Sequence, residues 1–279
     1  MLHSSSRPSI HPSLSSRTRQ RSKERVYSGK TLMGISKVVG SVATVFLLAS
    51  ICLIKFGMTL FFIPILYDSL VAYVVALASH QSINFPLILG KRPDGTFPLW
   101  SKLLFGPFMM FAQMYWQFKK LKRKEAAYNE ISEGLYVGGW PSSPDRFPPG
   151  EPAVIDCTCE LPRTSVVPKD AYLCIPTWDT RSPQPAQIET AVRWACRFRA
   201  QKRPIYIHCA FGHGRSVCVM CALLVAVGVA EDWKAAEKMV REKRPRIRMN
   251  AQHRKSLEEW SKCRHLSKGE SSDDLSKKQ

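Results

Sequence analysis

The sequence predicts an α/β domain with a central, mostly parallel sheet flanked by helices, preceded by an anchoring pair of apolar helices. Three observations predict this. From about residue 127 to 265, short apolar, β-branched runs alternate with helical stripes. Two uncharged or nearly uncharged stretches, 38–54 and 59–79, lie close together near the N-terminus. Basic residues crowd on both sides of them. Of 41 basic and 22 acidic residues in 279, residues 1–37 hold eight and one, and residues 119–125 (KKLKRKE) hold five and one. A cationic excess flanking a greasy region suits a membrane surface or a targeting segment. No zinc-finger spacing, aromatic RNA-binding run or basic zipper helix accompanies it, so nucleic acid is not an expected partner.

The elements follow in order. Residues 1–37 are Ser- and Arg-rich with almost no acid, and are expected to form a disordered basic tail. The composition also fits an organelle transit peptide, mitochondrial or plastid, but an apolar segment follows directly, which favours a tail. "VVGSVATVFLLASICLI" (38–54) is just long enough to span a bilayer. Lys55 and Gly57 suit a hairpin. "TLFFIPILYDSLVAYVVALAS" (59–79) is a second span containing Pro64 and Asp68. A lone intramembrane acid makes no ion pathway, so Asp68 is expected near an interface or paired with Lys55. Residues 81–126 are expected to be an interfacial segment and basic linker. Within them, 97–118 carries Lys102 and a Gly-Pro break, with Trp100, Tyr115 and Trp116 suited to the headgroup zone. A third span is the alternative there. KKLKRK then suits contact with anionic lipid.

The domain over 127–265 opens with strand-like "GLYVGG" (134–139), "PAVIDCTCEL" (152–161), "AYLCIP" (171–176) and "RPIYIHC" (203–209). Between the last two, Ile188, Ala191, Val192, Ala195 and Cys196 fall on one helical stripe after Pro183 and Pro185. "SVCVMCALLVAVGVA" (216–230) is apolar all round and too short to span, so it reads as a buried central helix. Two more helices close the domain, and residues 266–279 are expected to be a loose polar tail. There are no internal repeats. Nine cysteines without a framework read as free thiols in a reducing compartment. Cys157 and Cys159 read as small buried residues, because no second pair completes a metal site.

The stretch "HCAFGHGRS" (208–216) carries chemistry. It lies between a strand and a helix, where the amides of residues 210–215 converge on one point. Gly212 and Gly214 relax the turn, and the helix aims its positive end there. Ala210, Phe211, Gly212, His213 and Gly214 thus form a nest for a tetrahedral dianion, and Arg215 can grip two of its oxygens. The same field lowers the pKa of Cys209 and makes it a nucleophile toward a phosphate monoester. His208 is expected to buttress the loop, and Ser216 to donate a hydrogen bond to the departing sulfur. A general acid is also needed. Of Asp145, Asp156, Asp170 and Asp179, only Asp179 follows a strand and opens a proline-flanked loop able to cover the site. Zinc on His208, Cys209 and His213 is disfavoured, because neighbours at a strand end point apart.

The Cys-x5-Arg-Ser pattern at 209–216 resembles the signature of the protein tyrosine phosphatase superfamily. "ISEGLYVGG", "VIDCTCELP", "IPTWDT" and "VREKRPRIRMNAQHRKSLEEW" resemble its dual-specificity branch over about 130–260. The resemblance implies the cysteine phosphatase fold, Cys209 as nucleophile, Arg215 as phosphate ligand, Asp179 as acid and Ser216 as an aid to turnover. It implies no metal or other cofactor. "YLCIPTWDT" and the loop are also similar to phosphatidylglycerophosphate phosphatases and plant-type dual-specificity enzymes. Inositide-directed members often place lysines where Ala210 and His213 stand here, and Phe211 is bulkier than usual. The expected function is a membrane-anchored, multi-pass phosphatase facing the cytosol. It acts through a phosphocysteine, first on phosphotyrosine and phosphoserine/threonine proteins, with a phospholipid substrate as the alternative. An inactive phosphate-binding adaptor is the rival from another class. Cys218 and Cys221 raise the question of redox control.

Overall fold

The computed structural model describes residues 34–276 of the chain. The expected basic tail or transit segment therefore lies almost wholly outside the described residues. Helix α1 (Ile35–Lys55) and helix α2 (Thr59–Ala78) form a hairpin, and both are long and apolar enough to cross a membrane. The turn between them needs Gly57, which has φ +70°. Small residues let the two helices approach closely. Ala43 is fully buried, and a Cβ on Gly40 would lie 3.7 Å from that of Ala76. Ser69 Oγ donates to Ala43 O at 2.8 Å. Asp68 departs from expectation. It sits about 13 Å of helix rise past the start of α2, half-buried, and makes no ion pair with Lys55 among the described residues.

Helix α3 (Leu99–Lys122) runs unbroken through Gly106-Pro107, where the sequence suggests a break. Proline at 107 leaves the Leu103 carbonyl without its helical donor. Tyr67 Oη, from α2, donates to Leu103 O at 2.8 Å and to Leu104 O at 3.0 Å. The hairpin thus repairs the defect. Phe105, Phe108 and Met109 are buried with Val39, Val71 and Val75 of the hairpin. The opposite face of α3 exposes Leu99, Leu103, Met110, Met114 and Leu121. Trp116, expected among lipid headgroups, is buried, whereas Trp100 and Tyr115 are exposed.

Five strands follow: β1 (Tyr128–Ser132), β2 (Leu135–Gly138), β3 (Ala153–Asp156), β4 (Tyr172–Cys174) and β5 (Ile205–His208). Their order is β1-β2-β5-β3-β4, antiparallel only between β1 and β2. The register sets Gly138 and Asp156 on either side of His208, so three strands end together beneath one loop. Helices α4 (Pro185–Ala200), α5 (Arg215–Ala226), α6 (Trp233–Lys243) and α7 (Ala251–Ser276) pack against the sheet and one another. The stripe on α4 is buried at Ile188, Ala191, Val192 and Ala195, with Cys196 half-buried. Helix α5 is buried on every side through Leu224, as an apolar sequence requires. Helix α7 continues to Ser276 where a loose tail is expected, since no proline interrupts it.

A buried ion pair joins the post-hairpin segment to the sheet. Lys91 Nζ lies 2.7 Å from Asp156 Oδ2 and also donates to Thr158 O at 2.9 Å. Burial opposes the Asp156 charge, but Lys91, His208 and the Tyr172 hydroxyl hold it well below the usual carboxylate range. Cys157 and Cys159 are fully buried, and burial pushes both thiols up.

Candidate active site

The loop from Cys209 to Gly214 leaves β5 and enters α5. Its orientation follows from the carbonyls of residues 210–214, each of which accepts a hydrogen bond. Ala210 O accepts from Trp116 Nε1 at 2.7 Å and from Trp140 N at 3.1 Å. Phe211 O and Gly212 O each accept from Arg244 at 2.9 Å. His213 O accepts from Arg248 N at 2.7 Å, and Gly214 O from Cys218 N at 2.9 Å. With these five carbonyls engaged elsewhere, the amides are left to face inward as an anion nest. Gly212 sits at φ +72°, and a Cβ there would lie 2.4 Å from Gly138 C, so only glycine fits.

Cys209 lies in that nest, 4 % exposed. Its Sγ accepts from Gly212 N at 3.2 Å and Ser216 Oγ at 3.3 Å. Burial disfavours the thiolate. The Arg215 charge, the Ser216 hydroxyl and the amides of Ser216 and His213 outweigh it and bring the thiol below its usual range.

Arg215 is 1 % exposed and held from three sides. Its Nη1 and Nη2 grip Glu160 at 3.0 and 2.8 Å, and Nη1 donates to Thr177 O at 2.7 Å. Nη2 also lies 3.2 Å from Asp179 Oδ1. Burial alone would pull the guanidinium down, but Glu160, Asp179 and Cys209 hold it charged. Its Nε is buried without a partner among the described residues.

The structure therefore gathers Cys209, Arg215, Ser216 and Asp179 at one place. Asp179 is about half exposed. His208 is buried beneath the loop, its Nε2 3.9 Å from Asp156 Oδ1 and its ring stacked on Tyr206. The His213 side chain turns away from the nest, with Nε2 2.9 Å from Glu125 Oε2 and Nδ1 3.3 Å from Arg123. Only its main chain serves the loop.

Sequence reasoning missed Glu160, Trp116, Glu125 and Arg244. Glu160 carries no local mark in "CTCELP" and meets Arg215 only through the fold. Trp116, Arg123 and Glu125 precede residue 127, where the domain is expected to begin, so the site draws on residues outside that boundary.

A buried thiol with a lowered pKa, an amide nest, a fixed guanidinium and a half-exposed carboxyl at one place suit a cysteine-dependent phosphatase. The family model "Dual specificity phosphatase, catalytic domain" matches residues 152–263. The phosphatidylglycerophosphate phosphatase PTPMT2 of Arabidopsis thaliana is 30% identical over 175 residues, 58% of this chain and 73% of that protein. The chain belongs to the dual-specificity branch of the protein tyrosine phosphatase superfamily and is a phosphoric monoester hydrolase of that kind. Similar folds include PTPMT1 in complex with PI(5)P, at 24% identity and TM-score 0.43 over 49% of this chain and 95% of that one. Human DUSP28 matches at 16% identity and TM-score 0.44 over 50% and 95%.

Proposed function

We propose that this chain is a membrane-anchored phosphatase that removes the terminal phosphate from a phospholipid head group in its own membrane. One observation carries the choice of a lipid: the acid loop is built onto the end of the apolar hairpin. Thr180 Oγ1 accepts from Ile35 N, at the start of α1, at 3.4 Å. Arg181 Nε and Nη2 donate to Ser79 O, at the end of α2, at 3.2 and 2.8 Å. Trp178 is fully buried in the cluster formed by α1, α2 and α3. Both helix ends lie at the end of the hairpin opposite the Gly57 turn, so the site sits where a spanning hairpin leaves the bilayer. The exposed apolar face of α3, ending in Lys119, Lys120 and Lys122, suits insertion at the same level. The name of the plant relative agrees with a phospholipid substrate. A thiol that must stay reduced favours a cytosolic or other reducing face for this end.

The chemistry has two steps. The amides of the loop and Arg215 bind the phosphate, one oxygen taking the free Arg215 Nε–H. The Cys209 thiolate attacks phosphorus in line, the ester P–O bond breaks, and Asp179 gives its proton to the departing alcohol. Water then attacks the phosphocysteine, Asp179 takes its proton back, and the S–P bond breaks. The Ser216 hydroxyl hydrogen-bonds the leaving sulfur. No step calls for a metal.

The full chain in detergent, assayed on an aryl phosphate, phosphopeptides and phosphatidylglycerophosphate vesicles, tests this. Expected are hydrolysis of the aryl phosphate and the lipid, a lower kcat/KM for phosphopeptides, and loss of all three with Cys209→Ser. A preference for phosphopeptides returns the substrate to proteins. No hydrolysis by the wild type leaves the adaptor reading.

A further inference from the structure

Two buried side chains hold the catalytic loop by its carbonyls. Trp116, in the last two turns of α3, is 3 % exposed, and its Nε1 donates to Ala210 O at 2.7 Å. Arg244, just past α6, is 2 % exposed. Its Nη2 donates to Phe211 O and its Nε to Gly212 O, both at 2.9 Å. The guanidinium is itself fixed by other groups. Nη1 donates to Asn129 Oδ1 at 2.6 Å and to Ala126 O at 3.1 Å, and Nη2 lies 3.3 Å from Glu125 Oε1. The Arg244 charge is also felt at Cys209.

A trans peptide is planar, so a carbonyl and the amide that follows it point in opposite directions. Tying Ala210 O away from the nest therefore aims the Phe211 amide into it. Tying Phe211 O aims the Gly212 amide, and tying Gly212 O aims the His213 amide. Two of these three amides act on the nucleophile. Gly212 N donates to Cys209 Sγ at 3.2 Å, and the His213 amide favours the thiolate. Both are set by Arg244. The Phe211 amide is set by Trp116, with Trp140 N sharing Ala210 O at 3.1 Å.

We infer that Trp116 and Arg244 are positioning residues for phosphoryl transfer: Trp116 sets one anion-binding amide, and Arg244 sets two that also serve the Cys209 sulfur. Both act from the carbonyl side of the loop. The assignment rests on the phosphatase reading of the site and holds for any phosphate monoester, lipid or protein. It gives α3 a part in the reaction, since Trp116 stands ahead of residues 152–263, which match the family model. Position 244 requires arginine because one planar fork reaches two successive carbonyls while its remaining nitrogen is held by Asn129. The ammonium of a lysine is a single point and cannot span them.

Arg244→Lys, Trp116→Phe and a core control, Val192→Ala, test this in the full chain in detergent. Arg244→Lys keeps the positive charge near Cys209 and loses the fork. Vanadate affinity, measured by titration calorimetry, should fall about 10- to 100-fold. Iodoacetamide labelling, followed on the Cys209 peptide by mass spectrometry, should begin about one pH unit higher. Trp116→Phe keeps an aromatic ring and loses the donor. Its vanadate affinity should fall about 3- to 10-fold, with the labelling pH unchanged. Val192→Ala, buried on α4, should lower the melting temperature and move neither readout. If Arg244→Lys does not fold, Asn129→Ala, which frees Nη1, should give the same two changes at smaller size. Labelling that begins at the wild-type pH or lower in Arg244→Lys and Asn129→Ala overturns the role of Arg244. Unchanged vanadate affinity in Trp116→Phe overturns that of Trp116. Losses that track melting temperature across all variants, the control included, overturn both. A wild-type chain that binds no vanadate removes the anion-nest reading itself, which is a different result.

Discussion

The loop that carries Cys209 and the loop that carries Asp179 meet at Arg215, yet they stand on different supports. The first springs from β5 in the middle of the sheet and runs into a helix buried on every side. Hydrogen bonds to the carbonyls of residues 210–214 hold it. The second rests mainly on the apolar helices through Trp178, Thr180 and Arg181, with Asn250 Nδ2 donating to Thr180 O at 2.7 Å from the domain side. Thr180 is even held at φ +65°, a conformation that a β-branched residue rarely adopts. On the proposed mechanism, phosphate binding belongs to the domain, while the placement of Asp179 rests on the hairpin.

Variants can separate the two. The largest effect is expected from Arg215→Ala, which removes the cation from the nest and leaves Glu160 buried without its partner. Turnover should fall on the order of 10³- to 10⁵-fold, with loss of vanadate binding measured by titration calorimetry. Next, Asp179→Asn should lower kcat by about 10²- to 10⁴-fold while vanadate still binds. The loss should be greater for alkyl esters than for aryl esters, whose leaving groups need less protonation. Equal losses on both would move the acid elsewhere. Third, Arg181→Ala cuts the acid loop from α2. A drop of about 10- to 100-fold in kcat with unchanged vanadate affinity would support the division, whereas unchanged turnover would show that the hairpin does not position the acid. The smallest effect belongs to Ser216→Ala. Its hydroxyl favours the Cys209 thiolate. Without it the thiol titrates at higher pH, so iodoacetamide labelling should begin at a higher pH than in the wild type. A shift the other way would mean the hydroxyl stabilises the neutral thiol.

Much of the catalytic loop was legible because its residues are contiguous. Gly212 and Gly214 announce the turn, Arg215 the cation and the apolar run after Ser216 the buried helix. Asp179 was singled out among four acids, and the structure sets it 3.2 Å from Arg215. Glu160 went unread because it meets Arg215 across 55 positions, and nothing in "CTCELP" marks the glutamate as different from a surface acid. Trp116 was misplaced for a related reason. An aromatic residue in an apolar, lysine-tipped helix suits a lipid headgroup and a protein core equally, and only packing chooses between them. The unbroken helix at Pro107 was also out of reach, since its repair comes from Tyr67 on another helix.

The sequence by itself determined the local chemistry: which stretch makes an anion nest, which thiol has its pKa lowered, and which segments are too apolar to stay in water. These depend on neighbours within a few positions, through backbone geometry, dipoles and hydrophobic periodicity. Only the tertiary structure decided what those segments are fastened to. Burying the charged Arg215 demands a distant carboxylate, and covering the face of Trp178 demands helices from the other end of the chain. Such pairings are selected by the free energy of the whole packed arrangement, which no short stretch of residues contains.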